Sequence, residues 1–259
     1  MLSINQLMKY LRNYHHITVK SNQAQSLRNI GYYHGYKGYR FIRTPNQRIP
    51  FSSLDEVIAL NKFDMQLKTI IYPKVMFIEN ALKSYVIEAV LQDSNSENLD
   101  TIFNKSITAY KSYTPGSPHY HKQYAKRMTL KGKINNALLR DYSNKKQTVN
   151  HFFDADQPIP IWAVFESLTL GEFGTFFACS NSNVKLKISS ILHLPSNLDA
   201  DGKITEYIIY AVKDLRNAVA HNNTIFDTRF QTSTINNRLV FLLETEVGIT
   251  GLDFKYIDA

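Results

Sequence analysis

The chain has 259 residues, of which 44% are hydrophobic and 20% charged, and this composition excludes a disordered or low-complexity protein. Its single cysteine, Cys179, excludes an intramolecular disulfide and a metal site built from several thiolates. The first residues lack the apolar core of a signal peptide, and no run of about 18 apolar residues follows. We therefore expect a cytoplasmic protein without a membrane segment, folded as one large domain or two small ones.

The positive charge is concentrated in two segments. The formal net charge is +8, but residues 1–50 contain eight basic and no acidic residues, and residues 122–146 contain eight basic residues and one acidic residue. The rest of the chain is mildly acidic. Such segregation is typical of a protein that binds a polyanion. A solvated lysine-rich surface is the alternative that charge alone leaves open.

Residues 1–52 are predicted to form a basic, tyrosine-rich extension that contacts RNA. Apolar spacing and a cap at Ser21 indicate two short helices, and the glycines and aromatic residues of 32–43 favour a hairpin or extended turn. There, aromatic and basic residues interleave in a pattern suited to stacking unpaired bases and neutralising phosphates. An aromatic mini-core with a basic rim is the alternative. The candidate RNA-binding residues here are Tyr36, Lys37, Tyr39, Arg40 and Arg43.

Residues 53–259 are predicted to form one helical domain with a basic insertion at 110–150. Ser53 and Glu56 form a capping box before a long helical tract, which we expect Pro73 to kink or break. Residues 110–121 have the composition of a loop, and the basic segment after them is predicted to be helical. Its candidate RNA-binding residues are Lys126, Arg127, Lys131 and Lys133.

The C-terminal part continues the helical pattern. Residues 159–177 predict a helix or helix pair with Gly171 and Gly174 as the breaks, and a helix is expected from about 203 to 221. The tail from Thr232 alternates weakly and predicts a short hairpin. The fold class is therefore mainly all-α, a helical bundle with a small helical and hairpin extension at the N-terminal end and a short C-terminal hairpin.

The last long helix carries Arg216 and His221, which are separated by four residues. This spacing is a weak signal by itself. At about 100° per residue the two side chains point about 140° apart, on the side opposite the apolar stripe that includes Ile208 and Val212. Asn217 lies between them. The alternative is a solvated cation for Arg216 and a cap favoured by the helix dipole for His221.

Several motifs resemble those of the Abi-type (abortive infection, AbiD/AbiF-like) phage-defence family of the HEPN ribonuclease superfamily. RNAVAHNN resembles its R-x4-H signature, and further similarities occur in family order between residues 20 and 227. They are Gly31, Tyr32 and Tyr33; Gly38 and Tyr39; Phe63, Asp64 and Leu67; Ile78, Glu79, Leu82 and Lys83; and Pro160, Trp162 and Gly171. Two residues depart from the pattern, namely Lys83 in place of arginine and Lys37 in place of a small or apolar residue.

The resemblance implies a homodimer in which two R-x4-H motifs form a ribonuclease site that needs no metal or other cofactor. His221 would exchange protons with the ribose 2′-OH or the leaving oxygen, and Arg216 would stabilise charge on the phosphate. Asn217 would orient the histidine or bind phosphate. Glu79 is a candidate partner for Arg216, with an exposed helix carboxylate as the alternative.

Other chemistries have weaker signals. His119 and His121, like His15 and His16, lack cysteine or carboxylate partners at ligand spacing, so we predict no metal site. The phosphate-loop, dinucleotide-binding and hydrolase-elbow motifs do not occur.

Two functional hypotheses follow. The first is a toxin-like endoribonuclease of a bacterial abortive-infection or toxin–antitoxin system, neutralised by a bound partner such as a small RNA. The alternative is a non-catalytic HEPN-fold protein that holds a structured RNA. Both predict RNA and a second copy of the chain as partners, with no DNA and no membrane.

Overall fold

The structure is a computed structural model that describes residues 2–40, 48–226 and 235–252. The helices are α1 Ile4–His15, α2 Ala24–Ile30, α3 Gly38–Arg40, α4 Leu54–Ser94, α5 Leu99–Lys105, α6 Pro118–Ser143, α7 Gln147–Asp154, α8 Ile161–Ser167, α9 Leu170–Cys179, α10 Ser182–Ile191, α11 Ile204–Ala220 and α12 Asn237–Val247. Within those ranges, extended pairing is limited to isolated bridges such as Thr18 with Ser53. The predicted all-α class is confirmed.

Polar side chains set the starting points of several helices. Ser3 and Gln6 form a reciprocal capping box at α1, and Thr169 and Glu172 form another at α9. Asn181 caps α10 by accepting a backbone N–H at 3.0 Å. These contacts satisfy amide groups that have no partner in the first helical turn. The local sequence therefore determines where these helices begin.

The hairpin predicted for residues 32–43 is wrong as far as Arg40, the last described residue of that segment. Gly31–Lys37 form a π-helical turn, and α3 continues from it. A Cβ on Gly35 would lie 2.8 Å from the carbonyl oxygen of Ile30, so glycine lets the turn close against the preceding helix. The aromatic residues then pack inward instead of alternating along a strand.

The C-terminal hairpin predicted from Thr232 is also wrong for the described residues 235–252, where α12 forms instead. Leu239 and Leu242 are buried and pack with Ile204. Their spacing of three residues gives a helix one apolar side. This burial outweighs the weak alternation in the sequence.

None of the three residues expected to break a helix ends one. Pro73 lies inside α4, where it is exposed. The Thr69 carbonyl that loses its helical donor is on an exposed residue, where water can replace the missing N–H. Gly171 and Gly174 both lie inside α9, and a Cβ on Gly174 would come within 3.1 Å of the Tyr210 ring. Gly174 therefore permits close helix packing instead of ending a helix.

The chain forms two compact units. Unit 1 comprises Met1–Met76, Asp214–Ser233 and Val247–Ala259, and unit 2 comprises Phe77–Lys213 and Thr234–Glu246, each considered over its described residues. Helices α4 and α11 each contribute residues to both units, and the last turns of α11 belong to unit 1. The predicted domain boundary between residues 52 and 53 does not coincide with these units and stays a prediction.

Each unit has its own apolar core. The core of unit 1 consists of Met8, Leu11, Ile17, Val19, Leu27, Tyr32, Tyr36, Leu54 and Val57. The larger core of unit 2 centres on aromatic residues of α8 and α9, where Phe165 meets Phe176 edge to face at 4.9 Å. Among the described residues, no helix has both the length and the apolar character needed to cross a bilayer.

Candidate functional site

Arg216 and Asn217 lie on the last turns of α11, in unit 1. Both are half-buried, and Arg216 Nη1 donates a hydrogen bond to Asn217 Oδ1 over 3.4 Å. Sequence reasoning assigned Asn217 to the histidine or to a phosphate, whereas this contact links its amide oxygen to the guanidinium. The pair therefore presents a cation that is oriented by its neighbour.

The apolar stripe of α11 differs from the predicted one. Ile204, which belongs to the predicted stripe, is fully buried as expected. Ile209, which does not belong to it, is also fully buried, whereas Ile208 and Val212 of the predicted stripe are only partly buried. Ile209 and Arg216 are seven residues apart, so they lie on one line along the helix. Arg216 thus continues the buried line and does not lie on an open face opposite it, which accounts for its half-buried side chain.

His221 follows α11 as its C-cap residue and is exposed. Asn222 adopts the left-handed conformation with φ of 54°, and its N–H donates to the Val219 carbonyl at 3.1 Å. The Asn223 N–H donates to the Ala218 carbonyl at 2.8 Å. These two bonds form a Schellman motif. The helix therefore ends in a defined turn that leaves the imidazole in solvent.

The segment after His221 is bound by Asp64 of α4. The Asp64 side chain is fully buried, and its Oδ1 accepts the backbone N–H groups of Ile225 and Phe226, both at 2.9 Å. Hydrogen bonds to an ionised carboxylate are about twice as strong as neutral ones. Asp64 therefore fixes the chain four and five residues beyond His221.

Lys68 and Tyr39, both buried, extend the contacts of Asp64. Lys68 Nζ lies 2.8 Å from Asp64 Oδ2 and donates to Asn222 Oδ1, also over 2.8 Å. Tyr39 donates its hydroxyl hydrogen to Asp64 Oδ2 at 3.1 Å, and its ring stacks on Phe226 with centroids 5.8 Å apart. Burial, reinforced by the charge of Asp64, raises the pKa of Tyr39 to about 12. We call Tyr39, Asp64, Lys68 and Asn222 the Asp64 network.

Sequence reasoning did not identify the Asp64 network as part of the site. The signals were present, because the F-D-x-x-L motif contains Asp64 and the G-Y step contains Tyr39. Lys68 stands four residues after Asp64, the spacing at which opposite charges pair on a helix. The bond from Lys68 to Asn222 spans 154 residues of sequence, and spacing rules do not reach that far.

Glu79 is not the exposed carboxylate considered as one alternative. It is 7% exposed, and its Oε1 lies 3.0 Å from Nζ of Lys83 on the next turn of α4. The acid and the lysine of the I-E-x-x-L-K motif therefore form an ion pair within the helix.

The predicted RNA-binding residues of the N-terminal segment separate into two groups. Tyr36 and Tyr39 are 2% and 4% exposed, so neither ring offers a face to a base, and the mini-core alternative describes them. Lys37 is exposed and its Nζ lies 5.2 Å from the Tyr33 ring centroid, while the Arg40 guanidinium lies 5.6 Å from that of Tyr36. Of these two cations, Lys37 is the exposed one and Arg40 is half-buried. Arg43 lies outside the described residues.

The predicted RNA-binding residues of α6 also differ from one another. Arg127 donates to the carbonyls of Phe103 and Ile107, both at 3.0 Å, so its guanidinium binds α5 and the segment that follows it. Lys126 is half-buried and lies 3.5 Å from Glu206. Lys131 and Lys133 are exposed, although Lys131 lies 3.4 Å from Asp100. Among these four, the exposed lysines are the ones placed to meet a polyanion.

The histidine pairs considered as metal ligands have other neighbours. His15 Nε2 lies 3.3 Å from the Tyr32 hydroxyl, and His119 stacks on Tyr113 with centroids 5.8 Å apart. Within the described ranges, no three histidine, cysteine or acidic side chains are grouped in a way that could hold a metal ion.

Residues 25–227, most of the chain, match the sequence model of the Abi-like protein family. The chain belongs to this family. Membership indicates a role in abortive infection, and the matched range contains the whole Asp64 network together with Arg216 and His221. No curated protein and no solved structure matches the chain.

Proposed function

We propose that this Abi-like protein is a toxin-like endoribonuclease of a bacterial abortive-infection or toxin–antitoxin system. It has the HEPN fold, acts in the cytoplasm and cleaves RNA without a metal through the R-x4-H motifs of two copies. A bound partner, such as a small RNA, neutralises it.

One observation carries this proposal. The turn that follows the exposed His221 is held by a buried carboxylate, a buried lysine and a buried tyrosine, and two of these belong to motifs shared with the family. Burying a charge is costly unless it is paired and hydrogen-bonded. A network of this kind supports a defined position for the end of α11, as expected where Arg216 and His221 act on a substrate.

The side chains suit cleavage by the RNA itself. His221 accepts the proton of a ribose 2′-OH, and the 2′-oxygen attacks the adjacent phosphorus. The bond from phosphorus to the 5′-oxygen breaks, and this oxygen takes a proton from the second copy's histidine. Arg216 binds the phosphate oxygens as charge accumulates on them. The products are a 2′,3′-cyclic phosphate and a 5′-hydroxyl end.

An exposed apolar row on α4 supports a homodimer. Phe63, Ile70 and Phe77 recur every seven residues and are 54%, 61% and 73% exposed. At about 100° per residue, this row points away from the side of α4 that carries Asp64 and Lys68. Apolar side chains at heptad spacing are suited to packing against a helix of a second copy.

The exposed basic side chains support the holding of RNA. Lys37 in unit 1 and Lys131 and Lys133 in unit 2 lie in the two segments that contain the positive charge. Lysines that neutralise phosphates bind RNA without reading its sequence. We assign the holding of substrate RNA, or of a neutralising RNA, to these residues together with Lys126, Arg40 and Arg43.

The test is cleavage of single-stranded RNA by the purified protein in EDTA. Wild type is expected to produce 2′,3′-cyclic phosphate ends, and Arg216→Ala and His221→Ala are each expected to reduce the rate at least 100-fold, because each removes a group that acts at the phosphate. Induced expression in the bacterial host should stop growth for wild type and not for either variant.

His151→Ala is the matched control, because this histidine is also exposed but lies on α7 of unit 2. It should cleave like wild type. Thermal melts confirm that each variant is folded. Cleavage that persists in both Arg216→Ala and His221→Ala would contradict the proposal.

The alternative function is a non-catalytic protein that holds a structured RNA. The exposed lysines of α6 support this function as well as they support a nuclease, because both require RNA to be bound. It is distinguished in the same experiment, because it predicts an RNA gel shift that weakens steeply with salt, no cleavage, and no effect of His221→Ala.

A further inference from the structure

Unit 2 contains a cavity that none of the predicted site residues except Lys126 lines. Its walls come from the segment before α6, from α6, from the junction of α9 and α10, and from the start of α11. The cavity has a volume of about 810 Å³, within the range of sites that hold small ligands. A single phosphate ion would fill only a small part of it.

Positive charge predominates in the walls of this cavity. Four lysines line it, Lys111, Lys126, Lys185 and Lys203, against the carboxylates of Asp201 and Glu206. Asp201 is also bound from outside the walls by Arg238, whose Nη1 lies 2.8 Å away. Burial alone would raise the pKa of Asp201, but the hydrogen bond and the charge of Arg238 hold it at about 2. Within the walls, Lys126 lies 3.5 Å from Glu206 and Lys203 lies 3.4 Å from Asp201. Two carboxylates therefore face four lysines, and an anion is the expected ligand.

Lys185 on α10 is the most informative of these lysines. It is 8% exposed, and its Nζ donates to the Ala178 carbonyl at 2.9 Å, the one hydrogen bond that the described residues give to its three N–H groups. Burial lowers the pKa of Lys185, because the charged form is poorly solvated there. A phosphate oxygen in the cavity would supply the missing acceptor and the missing charge.

The position of Lys185 is built into the fold. The turn before α11 packs on it so closely that a Cβ on Gly202 would lie 2.6 Å from the Lys185 Cβ. Gly202 also has a φ of 64°, which favours glycine. The same turn leads directly into Lys203, so the backbone holds both lysines at one wall.

The cavity also has aromatic walls. Tyr113 and Tyr207 line it and are half-buried, and Tyr113 is held against His119 by stacking. Tyrosine rings provide faces on which a nucleobase stacks. A nucleotide is the ligand whose phosphate suits the lysines, whose base suits a tyrosine ring and whose size suits this volume.

We propose that this cavity binds the phosphate of a nucleotide through Lys185 and Lys203, with its base against a tyrosine ring. The phosphate belongs either to a free nucleoside monophosphate or to the 5′-phosphorylated end of an RNA strand. The site lies in unit 2, and its occupation does not depend on RNA cleavage.

The test is isothermal titration calorimetry of the full-length protein with adenosine monophosphate, adenosine and inorganic phosphate. Adenosine monophosphate should bind at least tenfold more tightly than either of the others, because each lacks half of the contacts. The 5′-phosphorylated diadenosine dinucleotide distinguishes the two sources. If the dinucleotide binds tenfold more tightly than adenosine monophosphate, the ligand is the end of an RNA strand. If the two bind equally well, the ligand is the free nucleotide.

Lys185→Met should weaken the binding of adenosine monophosphate at least tenfold. Lys187→Met is the matched control, because this lysine is exposed two residues along the same helix, and it should bind within twofold of wild type. If Lys185→Met folds poorly, Lys203→Gln tests the same site from an exposed position, and it should also weaken the binding of adenosine monophosphate. The proposal is overturned if millimolar adenosine monophosphate gives no binding heat, if adenosine binds equally well, or if Lys185→Met or Lys203→Gln binds like Lys187→Met. Any of these results would leave the proposed RNA cleavage by Arg216 and His221 untouched, because that cleavage is measured in a separate assay.

Discussion

Asp64 in unit 1 and Lys185 in unit 2 are both charged and almost completely buried, yet their surroundings differ. Asp64 accepts two backbone N–H groups and a tyrosine hydroxyl and pairs with Lys68, so its charge and lone pairs are satisfied by the protein. Lys185 has one carbonyl oxygen as its described hydrogen-bond acceptor and lines a cavity.

The difference separates structural charges from charges available to a ligand. A buried charge that the fold satisfies stabilises the arrangement around it, and removing one partner is strongly destabilising. A buried charge that the fold leaves short of acceptors costs stability until a ligand compensates it. Three substitutions test this contrast.

Asp64→Asn is expected to have the largest effect. It leaves the buried Lys68 ammonium without its carboxylate, which should lower the free energy of unfolding by about 3–5 kcal/mol. Asp100→Asn is the matched control, because Asp100 is exposed in its ion pair with Lys131 and should contribute less than about 1 kcal/mol. Urea unfolding followed by circular dichroism measures both. Equal losses would show that the Asp64 network does not hold unit 1 together.

Tyr39→Phe should have a smaller effect, a loss of about 1–2 kcal/mol, because it removes a hydroxyl that donates to Asp64 Oδ2 and accepts from Asn61 Nδ2. Its pH dependence is diagnostic. The raised pKa of Tyr39, about 12, means that folding favours the neutral phenol, so its contribution is present below pH 10 and is lost between pH 10 and about 12.

Urea unfolding at a series of pH values should therefore show wild type and Tyr39→Phe converging above pH 10. Tyr33→Phe removes the hydroxyl of an exposed tyrosine and should match wild type at every pH. A constant difference between wild type and Tyr39→Phe up to pH 12 would contradict the assigned role of the phenol.

Lys185→Met should have the smallest effect on folding, between a small loss and a gain of stability. The pKa of Lys185 is lowered, so burying its charged form costs stability at neutral pH. This cost diminishes as the pH rises toward the pKa of an ordinary lysine, because the folded protein then loses the proton before the unfolded chain does. Without a ligand, Lys185→Met should leave the free energy of unfolding at pH 7 within about 1 kcal/mol of wild type or raise it. Lys68→Met, the same substitution beside Asp64, should be strongly destabilising. If Lys68→Met and Lys185→Met lower the free energy of unfolding by similar amounts, Lys185 is a structural charge like Lys68.

Much of the helical fold follows from local sequence. The last long helix is predicted at 203–221 and found as α11 at Ile204–Ala220. The basic segment forms α6 as expected, although α6 begins at Pro118, within the loop predicted for residues 110–121. Both helices have regular apolar spacing, and α6 also has a serine cap. The hairpins were predicted wrongly because glycine and weak alternation are local signals, whereas burial of Tyr36 and of Leu239 depends on distant partners.

The candidate site was predicted only in part. Arg216 and His221 come from a short motif in one helix, and the motif is readable without a structure. The contacts of Asp64 with Ile225 and Phe226 join residues more than 160 positions apart, so no periodicity reveals them.

The sequence by itself determined the all-α class, the helix caps, the family motifs and the two basic segments, because each of these depends on neighbouring residues. The tertiary structure decided which polar and charged side chains bind other parts of the protein and which face a cavity or solvent. Arg127 bonds to carbonyls of its own unit, Tyr39 binds a carboxylate, and Lys185 lies in a cavity wall, although all three look like surface residues in the sequence. The physical reason is that solvation and hydrogen-bond partners are properties of packed elements, which only the folded chain brings together.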